Sequence, residues 1–70
     1  MLATIESIME SEPLGLRLHV VGQGEVFADL SEDCEIVRAG NRAGPRDLRV
    51  GMRVELELAG NVVTYLRMLA

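Results

Sequence analysis

Hydrophobic and polar residues alternate in short stretches along the chain, and glycine-containing breaks separate these stretches. Alternation with a period of two is typical of a β-strand with one buried face, whereas an amphipathic helix would show a longer period. The clearest alternation covers residues 14–20, 26–30 and 53–58. The pattern predicts an all-β domain of five or six short antiparallel strands.

The alternation also predicts which side chains face the core. Residues at even positions from Leu14 to Val20 and from Val26 to Leu30 are apolar, so we expect them to point inward. The first strand, residues 3–10, places Ile5 and Met9 on one face, and Ile8 breaks its alternation, which indicates a bulge or bend.

The second half of the chain is less regular. Ser31–Cys34 is expected to be a polar turn before a short strand over residues 35–38, and residues 39–44 are expected to form a loop. The last strand, residues 62–69, is apolar on both faces. Val62, Thr64, Leu66 and Met68 should share one face, and Val63, Tyr65, Arg67 and Leu69 the other.

We predict a single helical turn in residues 45–51, because Pro45 suits the first position of such a turn and Gly51 suits the position just after its end. Leu48 and Val50 of this turn are expected to plug one end of a barrel. Strands, one helical turn and a final hairpin follow the order of a small OB-like barrel, and an SH3-like barrel is the alternative. A chain of 70 residues has room for one such domain, residues 1–70.

Charge is distributed unevenly along the chain, whose formal net charge is −4. Residues 1–37 contain eight acidic side chains and one basic side chain, Arg17, whereas residues 38–53 contain five arginines and one acid, Asp47. The arginines are Arg38, Arg42, Arg46, Arg49 and Arg53. They are candidates for an anion-binding cluster, because guanidinium groups bind phosphate and carboxylate through paired hydrogen bonds. The alternative is that they pair with the chain's own acids, especially Asp47, Glu55 and Glu57.

A second candidate site consists of apolar side chains that the alternation places on the outer face. If they are contiguous, they form the kind of patch that marks a protein contact. The alternative is an error of one residue in the register of a strand, which would move Phe27 or Tyr65 into the core. The set is Val21, Phe27, Val63, Tyr65 and Leu69.

Nothing in the sequence predicts an enzyme, a metal site or a cofactor. The single histidine, His19, and the single cysteine, Cys34, lie in separate segments without the paired spacing of a zinc site or a partner for nucleophilic catalysis. The first residues contain no basic segment followed by a long apolar one, and no stretch is apolar enough to cross a membrane. With its lone thiol, the chain is expected to be cytoplasmic.

Two segments carry a resemblance to a known family. Residues 29–36, Asp-Leu-Ser-Glu-Asp-Cys-Glu-Ile, and residues 47–56, Asp-Leu-Arg-Val-Gly-Met-Arg-Val-Glu-Leu, resemble a bacterial family of small OB-like β-barrel domains of unknown function. The resemblance extends over most of the chain from Leu14 onward. It implies an OB-like barrel and supplies no activity.

These observations lead to two functional expectations. The first is a non-enzymatic binding or assembly module that acts through a protein partner or a second copy of itself. The alternative is an OB-type binder of single-stranded nucleic acid or another anion that uses the arginine-rich segment. The acidic net charge favours the first, because general nucleic-acid binders are usually basic.

Overall fold

The computed structural model describes residues 1–69. These residues form six β-strands and one short 3₁₀ turn. The strands are β1 (Leu2–Met9), β2 (Gly15–Val20), β3 (Gly24–Arg38), β4 (Asn41–Arg42), β5 (Arg53–Ala59) and β6 (Val62–Met68). The 3₁₀ turn, Pro45–Asp47, lies between β4 and β5. The predicted all-β class is confirmed. Within residues 1–69 no helix is long and apolar enough to cross a membrane.

The strands form one mixed sheet in the order β2-β1-β5-β6-β3-β4, and an additional pairing of β2 with β3 closes a ring of five strands. The pairing of β3 with β6 is parallel, and the other pairings are antiparallel. The prediction of an entirely antiparallel sheet is therefore wrong at this pair. Between β3 and β5 the chain crosses the end of the ring through β4 and the 3₁₀ turn, so β6 returns in the direction of β3.

Strand β3 is one strand of 15 residues, where the sequence pattern predicted two short strands and a turn. Its first half pairs with β2 and its second half with β6. The predicted turn at Ser31–Cys34 is instead an irregularity, across which the register jumps from Leu30 opposite Val63 to Glu35 opposite Tyr65. Such bulges bend a strand without ending it, which lets β3 belong to both sides of the ring.

Within residues 1–69, fourteen buried hydrophobic side chains from all the longer strands and the loop before β5 form the core. The inward faces predicted for β2 and β3 are confirmed, since Leu16, Leu18 and Leu30 are buried and Leu14 packs partly against them. The remaining core residues are Ala3, Ile5, Val20, Ala28, Ile36, Leu48, Val54, Leu56, Val63, Leu66 and Met68.

The irregularity predicted in β1 is also present, because its register with β2 shifts between Ile5 and Ser7. One consequence reverses a prediction. Beyond the bulge the two faces of the strand exchange, so Ile8 packs against the core while Met9 is 39% exposed rather than sharing the buried face of Ile5.

A second bulge corrects the predicted faces of β6. The pairing with β5 goes from Leu58 opposite Val63 to Glu57 opposite Tyr65, so Thr64 is an extra residue in β6. Because of this insertion, Val63 points inward and is completely buried, and it is not part of any surface patch.

The end of the ring is closed by Leu48, which is buried as predicted. Val50 is 62% exposed, so the prediction that it joins the plug is wrong. The 3₁₀ turn ends at Asp47, and a further turn follows in which the Met52 amide donates to the Arg49 carbonyl at 3.2 Å. Val50 lies at the corner of that second turn, where its side chain points to solvent.

The two valines whose predicted positions are wrong provide a matched test of the core. We expect Val63→Ala to lower the free energy of unfolding by about 1.5 kcal/mol or more, because it removes buried methyl groups and leaves a cavity. Val50→Ala makes the same chemical change at an exposed site, so its effect should stay within about 0.5 kcal/mol. Urea denaturation followed by circular dichroism measures both, and equal losses would contradict the assigned faces.

Two glycines beside the plug give a matched test of backbone strain. Gly51 has a φ of +92°, which L-residues rarely adopt, whereas Gly44 has an extended φ of −125°. A Cβ at either position would meet nothing within 4 Å. We expect Gly51→Ala to destabilise the fold by about 1–2 kcal/mol and Gly44→Ala to stabilise it by about 0.4–1 kcal/mol. Thermal denaturation measures both, and a gain in stability from Gly51→Ala would contradict the conformation of this turn.

Candidate functional site

The predicted outward apolar residues do not form one patch. Val63 is in the core, and Tyr65 and Leu69 are only partly exposed. Tyr65 lies on β6, and Phe27 lies on the half of β3 that pairs with β2. Because β2 and β6 are not neighbours in the ring, these two aromatic residues belong to different parts of the surface. Of the set, Val21 and Phe27 are largely exposed, at 66% and 58%.

Phe27 lies in the middle of the outer face formed by β1, β2 and β3. Along β3 the same face includes Glu25 and Asp29, two residues away on either side. In the register with β2, Phe27 is opposite Arg17, Glu25 is opposite His19 and Asp29 is opposite Gly15. We refer to this surface as the Phe27 face, and it comprises Glu6, Met9, Arg17, His19, Glu25, Phe27 and Asp29.

The single arginine of the Phe27 face is already neutralised by acids of the same face. The Arg17 Nε lies 3.9 Å from a Glu6 carboxylate oxygen and 3.7 Å from a Glu25 carboxylate oxygen. Both distances are too long for hydrogen bonds, and this Nε is buried without a hydrogen-bond partner among the described residues. Asp29 takes part in no ion pair within residues 1–69. The face therefore has an acidic balance around its aromatic residue.

A methionine extends the apolar part of this face. Met9 is opposite Gly15 in the register, and a Cβ added to Gly15 would lie 3.1 Å from the Met9 Cε atom. The Met9 side chain therefore lies directly over the bare backbone of Gly15. Because Met9 is unbranched and partly exposed, it gives the Phe27 face an adaptable apolar side chain near Gly15.

The five candidate arginines have different surroundings. Arg38 forms an ion pair with Asp47 at 3.5 Å, and the Arg49 guanidinium donates to the backbone carbonyls of Arg46 and Leu48. Arg46 and Arg49 line a shallow cavity that also contains Glu10 and Ser11. Arg42 and Arg53 lie on β4 and β5 and are exposed.

The predicted pairing with the chain's own acids is present in part. Asp47 pairs with Arg38, but the partner of Glu55 is Arg67, an arginine outside the predicted cluster. Glu57 takes part in no ion pair within the described residues.

Sequence reasoning missed an apolar pocket of about 380 Å³ beside the end of β6. The pocket is formed by three separate segments of the chain, so no local sequence motif predicts it. The one available signal was Arg67, a charged residue in an otherwise apolar strand. We call it the β6-end pocket, and its walls are Arg38, Ala39, Gly40, Met52, Arg67, Met68 and Leu69.

Arg67 at this pocket is held by a carboxylate on the neighbouring strand. Its Nε donates to a Glu55 Oε1 at 3.1 Å, and its Nη2 donates to the same oxygen. The two residues are opposite each other in the register of β5 and β6. These hydrogen bonds, and then the positive charge of Arg67, lower the pKa of Glu55 below its ordinary value.

The two residues considered for metal or nucleophilic chemistry are not brought together. His19 is exposed on β2, and Cys34 lies at the irregularity of β3. Partial burial raises the pKa of the Cys34 thiol, and the adjacent Glu35 carboxylate raises it further, which makes the thiol a poor nucleophile at neutral pH. In the described part of the chain, no three His, Cys, Asp or Glu side chains are placed to hold a metal ion.

In comparisons with known proteins, no family model, curated protein or solved structure matches the chain. The resemblance to a family of small OB-like domains therefore stays a prediction.

The Glu55–Arg67 pair predicts a specific pH dependence. Because the folded-state pKa of Glu55 is lowered, the pair stabilises the fold above the ordinary glutamate pKa, and this contribution is lost as pH falls through the lowered pKa. An NMR titration of the Glu55 carboxyl group should give a midpoint below that of an unpaired glutamate. Arg67→Gln should return it to the ordinary range, and Arg46→Gln should not. Equal midpoints in the native and Arg67→Gln proteins would contradict the pair.

Proposed function

We propose that this chain is an OB-like barrel that acts as a non-enzymatic protein-binding module, and that its Phe27 face binds a basic segment of a partner protein. The observation that carries the proposal is the position of Phe27. It is the single phenylalanine of the chain, and it is 58% exposed in the middle of a regular sheet.

The topology supports the OB-like assignment. The ring runs β1-β2-β3-β6-β5, its third and last strands are parallel, and a short helical turn precedes β5. An OB barrel has this arrangement of five strands, and its ligands bind to the face of the second and third strands. The Phe27 face occupies that position here. Fold alone does not assign a function, and the chemistry of the Phe27 face supplies the further support.

An exposed phenylalanine is costly to a domain of this size. Burying a phenylalanine contributes about 1.5–3 kcal/mol, and a domain of this size has a net stability of only a few kcal/mol. Aromatic residues at the centre of a surface are typical anchors of protein interfaces, where they fill pockets of the partner. Met9, which lies over Gly15 on the same face, adds an adaptable apolar side chain to this surface.

The charges of the face select the partner. Glu25 and Asp29 flank Phe27, and Arg17 is neutralised by Glu6 and Glu25. A cationic side chain of a partner would be attracted by these carboxylates and by the face of the aromatic ring. The same acids disfavour single-stranded nucleic acid, since its binders combine aromatic residues with a basic groove. Apart from Arg17, which Glu6 and Glu25 neutralise, the arginines of this chain are not part of the Phe27 face.

The size of the domain limits the interface. A specific protein contact buries about 800 Å² on each partner, which is nearly one fifth of the 4494 Å² accessible surface of this chain. The contact would therefore extend over most of the outer surface of β1, β2 and β3. An extended basic segment lying across these strands fits that requirement.

The proposal predicts binding of a short fluorescein-labelled peptide in which lysine and leucine alternate. Fluorescence anisotropy at low salt should show saturable binding that Phe27→Ala weakens by about tenfold or more, because the anchor is lost. Val50→Ala truncates an equally exposed side chain on another surface and should change the affinity less than about twofold.

The charge of the face is tested separately. Asp29→Asn should weaken binding of the lysine peptide, whereas Glu57→Gln, which removes an exposed acid from β5, should not. A matched peptide with glutamate in place of lysine should bind much more weakly. The proposal would be overturned if Phe27→Ala bound the lysine peptide as tightly as the native protein does. It would also be overturned if the native protein bound the lysine and glutamate peptides equally well. Sedimentation that shows a dimer of the native chain which Phe27→Ala converts to monomer would overturn it too, since the occupant would then be a second copy.

A further inference from the structure

We propose that the β6-end pocket is a binding site for a small aromatic carboxylate. This site shares no residue with the Phe27 face, and it lies at the opposite half of β3. The inference is therefore independent of the proposed protein-binding function, and either one can fail without the other.

The walls of the pocket are apolar and partly adaptable. Met52 lies just before β5, and Met68 is the last residue of β6. Leu69 and Ala39 complete the apolar walls. Methionine sulfur atoms make favourable contacts with aromatic rings, and the unbranched side chains adjust to the shape of a ligand. A volume of about 380 Å³ lies within the range of small-molecule sites, so one ring with a short substituent fits.

Two arginines at the same pocket supply the positive charge. The Arg38 side chain is 56% exposed, and its only ion pair in residues 1–69, with Asp47, is 3.5 Å long. A charge-assisted hydrogen bond is normally shorter than 3 Å, so the Arg38 guanidinium is free to bind a carboxylate with two parallel hydrogen bonds. Guanidinium groups also stack on aromatic rings, which suits a ligand that combines a ring with an anion.

The second arginine limits the charge that the pocket accepts. Two nitrogens of Arg67 are occupied by Glu55, so this side chain is partly neutralised. Glu55 and Asp47 together leave the surroundings of the two arginines close to neutral overall. A ligand with a single negative charge is therefore favoured over a phosphate ester, whose second charge would be repelled by these carboxylates.

The geometry around Gly40 keeps the pocket open. Ala39 and Gly40 have φ values of 52° and 79°, as in the type I′ turn of a tight hairpin, and this turn connects β3 to β4. Gly40 contributes bare backbone to this wall, and the space beside it is open, since a Cβ there would meet nothing within 4 Å. A ring can therefore approach the backbone closely.

The test uses the full chain labelled with ¹⁵N and titrated with 4-phenylbutyrate. We expect saturable shifts of the amide signals of Gly40, Met52 and Leu69, with no shifts around Phe27. The matched alcohol, 4-phenylbutan-1-ol, has the same ring and chain without the charge. Its affinity should therefore be lower by about tenfold or more.

Arginine variants locate the anion. Arg38→Gln and Arg67→Gln should each weaken binding of 4-phenylbutyrate by about fivefold or more, whereas Arg46→Gln, outside the pocket, should leave it unchanged. Glu55→Gln should strengthen binding, because it releases the two donor nitrogens of Arg67. A merely unfolded variant would lose its dispersed amide spectrum, which the same experiment records.

Three results would overturn the inference. One is equal binding of the acid and the alcohol, which would indicate apolar adsorption. Another is weaker binding by Glu55→Gln, since a site that uses Arg67 must gain from its release. The third is the absence of shifts at the pocket amides up to the solubility limit of the ligand, in a protein whose spectrum shows that it is folded. Loss of peptide binding at the Phe27 face in Phe27→Ala would leave all three measurements unaffected.

Discussion

The structure depends on one strand being shared between two neighbours. Strand β3 pairs with β2 through its first half and with β6 through its second half, and this sharing closes the ring of five strands. A straight strand could not do both, so the irregularity at residues 31–34 is required for closure. Without it, β2 and β6 would each present an open edge to other chains, and a small core would be exposed at the gap.

The same sharing separates the outer surface into two regions with different chemistry. The half of β3 beside β2 carries Phe27 among acids, and the half beside β6 ends at Arg38 and the β6-end pocket. The change from acidic to arginine-rich sequence near residue 38 thus becomes a change between two parts of one surface.

Local alternation was sufficient to predict β1, β2, β5, β6 and most of the core, because a period of two fixes the face of each residue in a regular strand. It divided β3 into two strands and left β4 in a predicted loop. It failed at Met9 and Val63 for a common reason. One extra residue in a strand exchanges its faces. The break at Ile8 indicated an irregularity in β1 but not where the faces exchange, and the sequence of β6 indicated no extra residue at Thr64. The parallel pair and the β6-end pocket were out of reach because both depend on contacts between distant segments. Phe27 was placed correctly because β3 is regular at that point.

The location of the bulges also explains why the two candidate sites have the character they do. A bulge in β6 turns Val63 into the core, and this leaves the outer surface of that strand with Tyr65 between Glu35 and Glu57 and with Arg67 opposite Glu55. On that surface Arg67 is held by Glu55, and the β6-end pocket lies where the pairing of the strand stops. On β3, in contrast, the regular segment before the bulge leaves Phe27 without an apolar neighbour across the strand, since Arg17 is opposite. An aromatic side chain in that position contributes little to folding, and its apolar surface becomes useful only when a partner covers it.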